Sequence, residues 1–445
     1  VGARGDPGGR LERRALEVGI GPERAFEAFR GPGDPMVLFD GRGGHDGSWP
    51  CRLAIGPTMC ACAAGPGEAN SALDSLSATI QRRRAAGGPG TTGIVIAMAY
   101  EALASPEEAR EAGWSLVALA VDAAVTFPEA GHPVAVGPGP VLDVAAARLD
   151  GPPVGPLAGP AASAASAPLR TSLPREAYLR SVRDVKDHIE RGDIYQANLT
   201  QRFSAGFGGD AWELYRSLAA ATPAPRSAFF SAGGLSIASV SPEIFVDVDA
   251  SGRAETRPIK GTRPRGRTPA EDAAALEELA VSTKDRAELV MIVDLERNDL
   301  GRVARVGSVR VPELCTARSY AAVHHLVARV EAQLRAEVTP AELVRAVFPG
   351  GSITGAPKER AIEILASIEP VPRGLYTGCL FWFDDDGSTL SSILIRSALV
   401  REGSVSIGAG GGIVADSDPE AEWMEANAKA RALTRAVGFE PEEAI

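Results

Sequence analysis

Two acidic pairs at helical spacing, one lysine boxed between proline and glycine, and two glycine-rich loops hold the chemistry this sequence could do. Ser417, Asp418 and Pro419 read as the opening of a last helix and Gly438 as its end. Within it, Glu422, Glu425 and Lys429 stand at i, i+3 and i+7 and project from one face. Two carboxylates one turn apart are a partial ligand set for a hard cation such as Mg²⁺, which takes oxygen and keeps several waters. The same spacing equally describes a solvated face with a Glu425–Lys429 ion pair worth ~0.3–0.5 kcal/mol. Asp285 and Glu288 repeat the i, i+3 spacing on the helix leading into Val293-Asp294-Leu295-Glu296-Arg297-Asn298-Asp299-Leu300. They too would serve as plain surface acids; two helices each offering a pair would suit one metal held between them.

Pro258-Ile259-Lys260-Gly261-Thr262-Arg263 follows a predicted strand. Buried beside cations such as Arg257 and Arg263, the Lys260 amine would lose proton affinity and become a nucleophile; exposed, it belongs to an ordinary basic loop. Glu243, one strand and turn earlier, could reach Lys260 across a hairpin and act as a general acid. The glycine run Ile407–Ile413 is expected to join a strand to the acidic last helix, with backbone N–H groups free to approach an anion. It fails the dinucleotide fingerprint, because the third glycine of GxGxxG would fall on Ile413. Gly350–Lys358 fails as a nucleotide P-loop, since Ala356 follows Gly355 where lysine is required. Both loops suit a small carboxylate better than a nucleotide, and either could be a purely structural turn.

The elements that must position these residues are partly readable. Pro174–Arg191 is an amphipathic helix with Tyr178, Val182, Val185 and Ile189 on one face, closed by Gly192. After it, Tyr195, Ala197, Leu199 and Phe203 alternate with Gln196, Asn198, Thr200 and Arg202, a strand with one polar face. Further strands are expected near 235–247, 305–311, 379–383, 391–400 and 404–407, and helices near 271–280, 284–299, 340–346, 357–368 and 419–437. Strands in succession with helices grouped between them favour an α+β fold with antiparallel sheets. Gly151–Pro168 is almost wholly Gly, Pro, Ala and Ser and reads as a linker or long loop. It divides residues 1–150, a divergent α+β portion, from a core over 171–438, with 151–170 between them.

Composition narrows the function classes. The 45% hydrophobic and 23% charged residues are ordinary for a globular protein. A net charge of −11 argues against a nucleic-acid partner but not against a small anion met by a local Lys/Arg cluster. No window has the ~18 apolar residues of a membrane span, and the Arg- and Gly-rich first residues, with no apolar stretch after them, are not expected to act as a secretory signal. Five cysteines without a CxxC pair make a disulfide scaffold or zinc site improbable, and the cytoplasm is the expected compartment.

Taken in order, GDIYQ, SPE, RPIKGTRPRG, VDLERNDLGR, HHLV, PGGSITGAPK, YTG, IRS and GAGGGIVADS, with the acidic helix that follows, resemble the chorismate-utilising enzyme family. That family includes anthranilate, aminodeoxychorismate, isochorismate and salicylate synthases. The resemblance spans about residues 174–437 and is much looser before 150. It implies two large antiparallel sheets packed together with helices outside, and one Mg²⁺ bridging carboxylates to the substrate. Carried over, the metal falls on Glu288 and Glu425, with Asp285 and Glu422 close by. Arg396, Tyr376, Lys429 and the backbone of Gly410, Gly411 and Gly412 would receive the carboxylates of chorismate. Gly261, Thr262 and His325 would border its ring. Without the resemblance, His325 reads as a core histidine.

Two positions choose among activities. Family members that add water resemble one another in having lysine where this chain has Gln196, so ammonia is the expected nucleophile. Anthranilate synthases typically read PIAGT; this chain reads PIKGT, which is similar to aminodeoxychorismate synthases. The resemblance then implies that Lys260 attacks C2 of chorismate while Glu243 protonates the departing C4 hydroxyl, after which ammonia adds at C4. Nothing in the chain resembles a glutaminase, so ammonia would come from a glutamine amidotransferase subunit or domain. Asp285 stands where the family usually has Glu, Leu289 where it has His, and Ala328 where it has Ser. Leu38-Phe39-Asp40-Gly41 matches the tryptophan-sensing pattern poorly, and tryptophan feedback is not expected. The competing readings are anthranilate synthase component I and a non-catalytic chorismate-binding relative.

Overall fold

The computed structural model describes residues 11–16, 20–31, 33–41, 48–104, 114–150, 167–320, 323–441 and 444. Side-chain alternation assigns the layers. In the strand Gly93–Met98, Ile94, Ile96 and Met98 enter one apolar cluster while Val95 and Ala97 enter another. Both faces of that strand are therefore covered, and its sequence is a continuous apolar run.

The strands form two sheets whose pairings are antiparallel. The middle of the first runs Met36–Asp40, Arg226–Ala232, Leu235–Ser241, Ser397–Arg401, Ser404–Ile413, Gln196–Gly206. One side of the second runs Ile259–Pro264, Val323–Gln333, Arg253–Thr256, Asp247–Val248, Thr389–Ile393, Cys379–Asp384, Gly93–Met98. Phe39, Phe230 and Ile237 of the first sheet meet Val95, Leu119 and Trp382 of the second in a shared apolar layer. Outside the first sheet pack the helices Pro22–Phe29, Ala211–Ala221 and Pro419–Ala436 through Phe26, Trp212 and Leu433. Outside the second pack Pro66–Ala85, Thr283–Gly301 and Pro340–Val347 through Leu73, Leu289 and Val344. The expected α+β architecture of two antiparallel sheets with outer helices is the one observed.

Residues before 150 supply strands to both sheets: Met36–Asp40 pairs with Arg226–Ala232, and Gly93–Met98 with Cys379–Asp384. The expected linker lies outside the described residues as far as 166, and Arg170 and Thr171 already pair with Ser204 and Phe203. All five expected later helices are present, as Pro269–Val281, Thr283–Gly301, Pro340–Val347, Lys358–Ile368 and Pro419–Ala436.

Several strand expectations need correction. The 391–400 run is two strands in different sheets, Thr389–Ile393 and Ser397–Arg401, broken where Arg396 takes φ 51°. The 235–247 run likewise stops at Ser241 and resumes at Asp247. The 305–311 strand begins later, at Arg310, and runs to Ser319. The glycine run is not a loop, since the strand Ser404–Ile413 continues through it. A methyl group at Gly410 would lie 2.1 Å from the Leu199 carbonyl oxygen. Glycine there reflects close strand approach rather than a turn. Among the described residues no helix is long and apolar enough to cross a membrane.

Candidate active site

Lys260 is brought to the site by the strand Ile259–Pro264, which pairs Lys260 with Leu326 and Thr262 with His325 and slips register between them. Gly261 fills the slip at φ +65°, where a side chain is strained and a methyl would lie 2.9 Å from Asp285 Cγ. His325 Nδ1 lies 3.2 Å from the Gly261 carbonyl and 3.1 Å from Thr262 Oγ1. Burial lowers the His325 pKa, so its ring is neutral, with Nδ1–H donating to the carbonyl and Nε2 left as an acceptor.

Glu243 sits in the connection that carries the chain from Leu235–Ser241 in the first sheet to Asp247–Val248 in the second. It is only 5% exposed. Its Oε1 and the Ser352 hydroxyl both lack a hydrogen-bond partner among the described residues, although Ser352 is its polar neighbour. Burial pushes the carboxyl up to about 7, against the pull of Ser352 and Lys260. For Lys260 desolvation lowers the ammonium pKa, with Lys429 adding to the effect and Glu288, Glu243 and Glu425 opposing it. Arg257 and Arg263, the cations expected to act on Lys260, are turned elsewhere. Arg257 pairs with Glu255 at 2.6 Å, and Arg263 reaches Asp285 at 3.0 Å.

Gln196 opens the strand Gln196–Gly206 and is fully buried, yet both of its amide atoms lack a partner among the described residues. A methyl at Gly412 would lie 2.6 Å from Gln196 Nε2 and 3.6 Å from Lys260 Nζ. An amide in that state is poised for a ligand, because an unsatisfied buried polar group costs about 1–3 kcal/mol.

The expected anion-binding groups line the adjoining stretch. Ser397–Arg401 covers only Ser404–Ile407 of its neighbour, so Gly408–Ile413 pairs with Gln196–Gly206 on one edge alone among the described residues. Lys429 Nζ donates to the Gly410 carbonyl at 3.0 Å, and Arg396 Nη1 to the Lys429 carbonyl at 2.8 Å. The Tyr376 ring presses on Gly408, where a methyl would lie 2.1 Å from it. Burial raises the Tyr376 phenol to about 12 and lowers the Arg396 pKa.

Four carboxylates approach from two helices. Glu288 of Thr283–Gly301 and Glu422 of Pro419–Ala436 are raised, first by burial, and Glu422 raises Glu288 in turn. Glu422 accepts a hydrogen bond from the Ser417 hydroxyl at 2.7 Å and stands 3.2 Å from a methyl position on Gly411. Glu425 is lowered by Lys429, 2.7 Å away, so the ion pair of a solvated face is also present. Asp285 is held by Arg263. Among the described residues no three His, Cys, Asp or Glu side chains are close enough to enclose a metal ion. The donor set nevertheless fits a hard cation that keeps its waters: oxygen ligands only, with Glu422 buried, Glu288 half-buried and Glu425 exposed, and with a mutual repulsion that a cation would relieve.

Other supporting residues escaped sequence reasoning. Arg373 is buried and bonds Glu369, the Ile353 carbonyl at 2.8 Å and the Asn198 carbonyl at 2.6 Å. Glu369 in turn accepts from the Thr200 amide at 2.9 Å. Glu296, hydrogen-bonded by Thr256 and pushed by burial up to about 8, lies behind Glu243. Lys358 of the failed P-loop ties Asp299 to the carbonyls of Val347 and Pro349. The motifs containing Glu296 and Lys358 were visible but their burial was not, and Arg373 lies outside the motifs named from the sequence. In the HHLV segment His324 is the core histidine, bonded to Asp272 and Ser319, and His325 faces the site.

A family model described as chorismate binding enzyme matches residues 45–435. Aminodeoxychorismate synthase component 1 of Klebsiella aerogenes is 48% identical over 256 residues, 58% of this chain and 56% of that protein. Anthranilate synthase component 1 of Geobacillus stearothermophilus is 44% identical over 263 residues, 59% of this chain and 52% of that protein. The matched stretch thus spans about half the length of these relatives. Among solved structures, anthranilate synthase component I from Streptococcus pneumoniae aligns with TM-score 0.71 at 24% identity, covering 98% of this chain and 94% of that one. The menaquinone-specific isochorismate synthase of Escherichia coli aligns with TM-score 0.73 at 16% identity, covering 97% and 95%. These two likenesses concern the fold.

Proposed function

The chain belongs to the chorismate binding enzyme family, and we propose that it aminates chorismate at C4 to give 4-amino-4-deoxychorismate. The observation that carries this reading is the meeting of Lys260, Glu243 and Gln196, a lysine with lowered pKa beside a carboxyl raised to about 7 and an unpartnered amide.

The neutral Lys260 amine attacks C2 of chorismate, both ring double bonds shift along the conjugated system, and the C4 hydroxyl leaves as water with the proton of Glu243. Ammonia then adds at C4, both double bonds shift back, Lys260 departs as the amine, and a proton of the added ammonia returns to Glu243. The net change is loss of water and gain of ammonia, with the enolpyruvyl ether retained. Arg396, Tyr376, Lys429 and the Gly410–Gly412 backbone hold the substrate's carboxylates, and Thr262 and His325 border the ring. Gln196 has an amide where water-adding relatives have lysine, so it provides no base to activate water; its free carbonyl can accept a hydrogen bond from ammonia. Glu288 and Glu425, with Asp285 and Glu422 near them, would hold Mg²⁺, which when bound neutralises and orients the ring carboxylate.

Ammonia is supplied by a glutamine amidotransferase partner, a reading supported by the name "component 1" of the relative from Klebsiella aerogenes. We place the reaction in the cytoplasm; its product would feed para-aminobenzoate and folate synthesis or an antibiotic pathway. The likeness to anthranilate synthase component 1 of Geobacillus stearothermophilus keeps a second reading, formation of anthranilate and pyruvate. Incubation with chorismate, Mg²⁺ and ammonium separates the two: aminodeoxychorismate without pyruvate supports amination, and anthranilate with pyruvate overturns it.

A further inference from the structure

A cavity of about 180 Å³ is bounded by Tyr376 and Gly408 but touches none of Lys260, Glu243, Gln196, Arg396 or Lys429. Trp114, Leu235, Leu399 and Ile407 give it an apolar wall, and Arg202 and Arg401 give it two guanidinium groups. The acid that lines it, Glu369, is already bonded to Arg373 and to Thr200. Arg401 pairs with its neighbour Glu402 at 2.8 Å and lies 5.8 Å from the centre of the Trp114 ring. Arg202 is different. Half-buried, it donates to the Pro372 carbonyl at 3.0 Å and has no carboxylate at ion-pair distance among the described residues. Glu101 acts on it only through space. A partly desolvated guanidinium with no carboxylate bonded to it favours an anion, and its planar fork matches a carboxylate. The apolar wall asks for more than an inorganic ion.

We propose that this cavity is a second ligand site, for a small organic carboxylate with an apolar or aromatic body. It is separate from the site of the proposed reaction, sharing with it Tyr376 and the supporting residues Glu369 and Arg373. Its test reads binding alone, so its outcome does not depend on which reaction the chain performs.

Benzoate is the probe, titrated into the whole chain by calorimetry and followed by intrinsic tryptophan fluorescence. Saturable binding is expected, with neutral benzamide about tenfold weaker or worse, a difference of about 1.4 kcal/mol. Arg202→Met and the cavity-filling Ser406→Phe should each weaken benzoate by a similar factor, while Arg396→Ala keeps it. Thermal melts check folding, and if Arg202→Met unfolds, Ser406→Phe decides. Absence of saturable binding to the folded wild type would overturn the proposal. So would binding retained in the folded cavity variants, or lost in folded Arg396→Ala, which would move benzoate to the chorismate end.

Discussion

Lys260 and Gln196 come from different sheets yet end against the same glycine, Gly412, at 3.6 Å and 2.6 Å from its methyl position. Neither strand alone could place an amine beside an amide; the packing of the two sheets does. Gly412→Ala should therefore act chiefly on catalysis. The methyl meets the far end of a flexible side chain, so Gln196 can turn aside at small cost in stability. We expect kcat/KM to fall by about a hundredfold or more, because about 1 Å of misplacement has that effect. The thermal midpoint should drop by only a few degrees. Unchanged kinetics would mean that Gln196 does not position a reactant.

The proposed reaction needs Glu243 protonated and Lys260 neutral. With the Glu243 carboxyl raised to about 7 and the Lys260 amine lowered, kcat/KM should fall at the alkaline end as Glu243 loses its proton and at the acid end as Lys260 takes one up. A stability effect follows with a definite sign. The folded protein holds the Glu243 proton from the ordinary 4.5 up to about 7, so stability falls with rising pH across that window. The loss is on the order of 3 kcal/mol, at about 1.4 kcal/mol per pKa unit. Glu243→Gln should lack it, and urea titrations of both proteins at pH 5 and pH 8 measure the difference.

Arg373→Met should unfold the protein more easily by about 3–5 kcal/mol, because Glu369 would keep a buried charge without its cation. The carbonyls of Ile353 and Asn198 would lose their donor as well. Chemical denaturation reads this directly. A change under 1 kcal/mol would show that water replaces the guanidinium.

Chelation of divalent cations should abolish turnover while leaving the circular dichroism spectrum unchanged, since apolar layers and not the carboxylates hold the sheets together. Glu288→Gln and Glu425→Gln should raise the Mg²⁺ concentration needed for half-maximal rate, by about 10-fold or more. Full activity in chelator would remove the metal from the account.

Legibility in the sequence followed the physics of each signal. The acidic helix Pro419–Ala436 was readable because cap, period and closing glycine agree, and Asp418 caps it as expected. The strand through Gly408–Ile413 was misread as a loop because glycine usually marks a turn, whereas here Tyr376, Leu199 and Gln196 crowd it. The break at Arg396 was invisible, since a positive φ on arginine has no sequence signature. Lys260 and Glu243 were named from their motifs. Their perturbed proton affinities arise from burial between sheets, which no local spacing encodes.

The most direct test of the central claim is a product assay by mass spectrometry on the wild type and Lys260→Ala, with chorismate, Mg²⁺ and ammonium. The account predicts 4-amino-4-deoxychorismate from the wild type and its loss from the variant. Anthranilate and pyruvate from the wild type, or undiminished amination by Lys260→Ala, would contradict it.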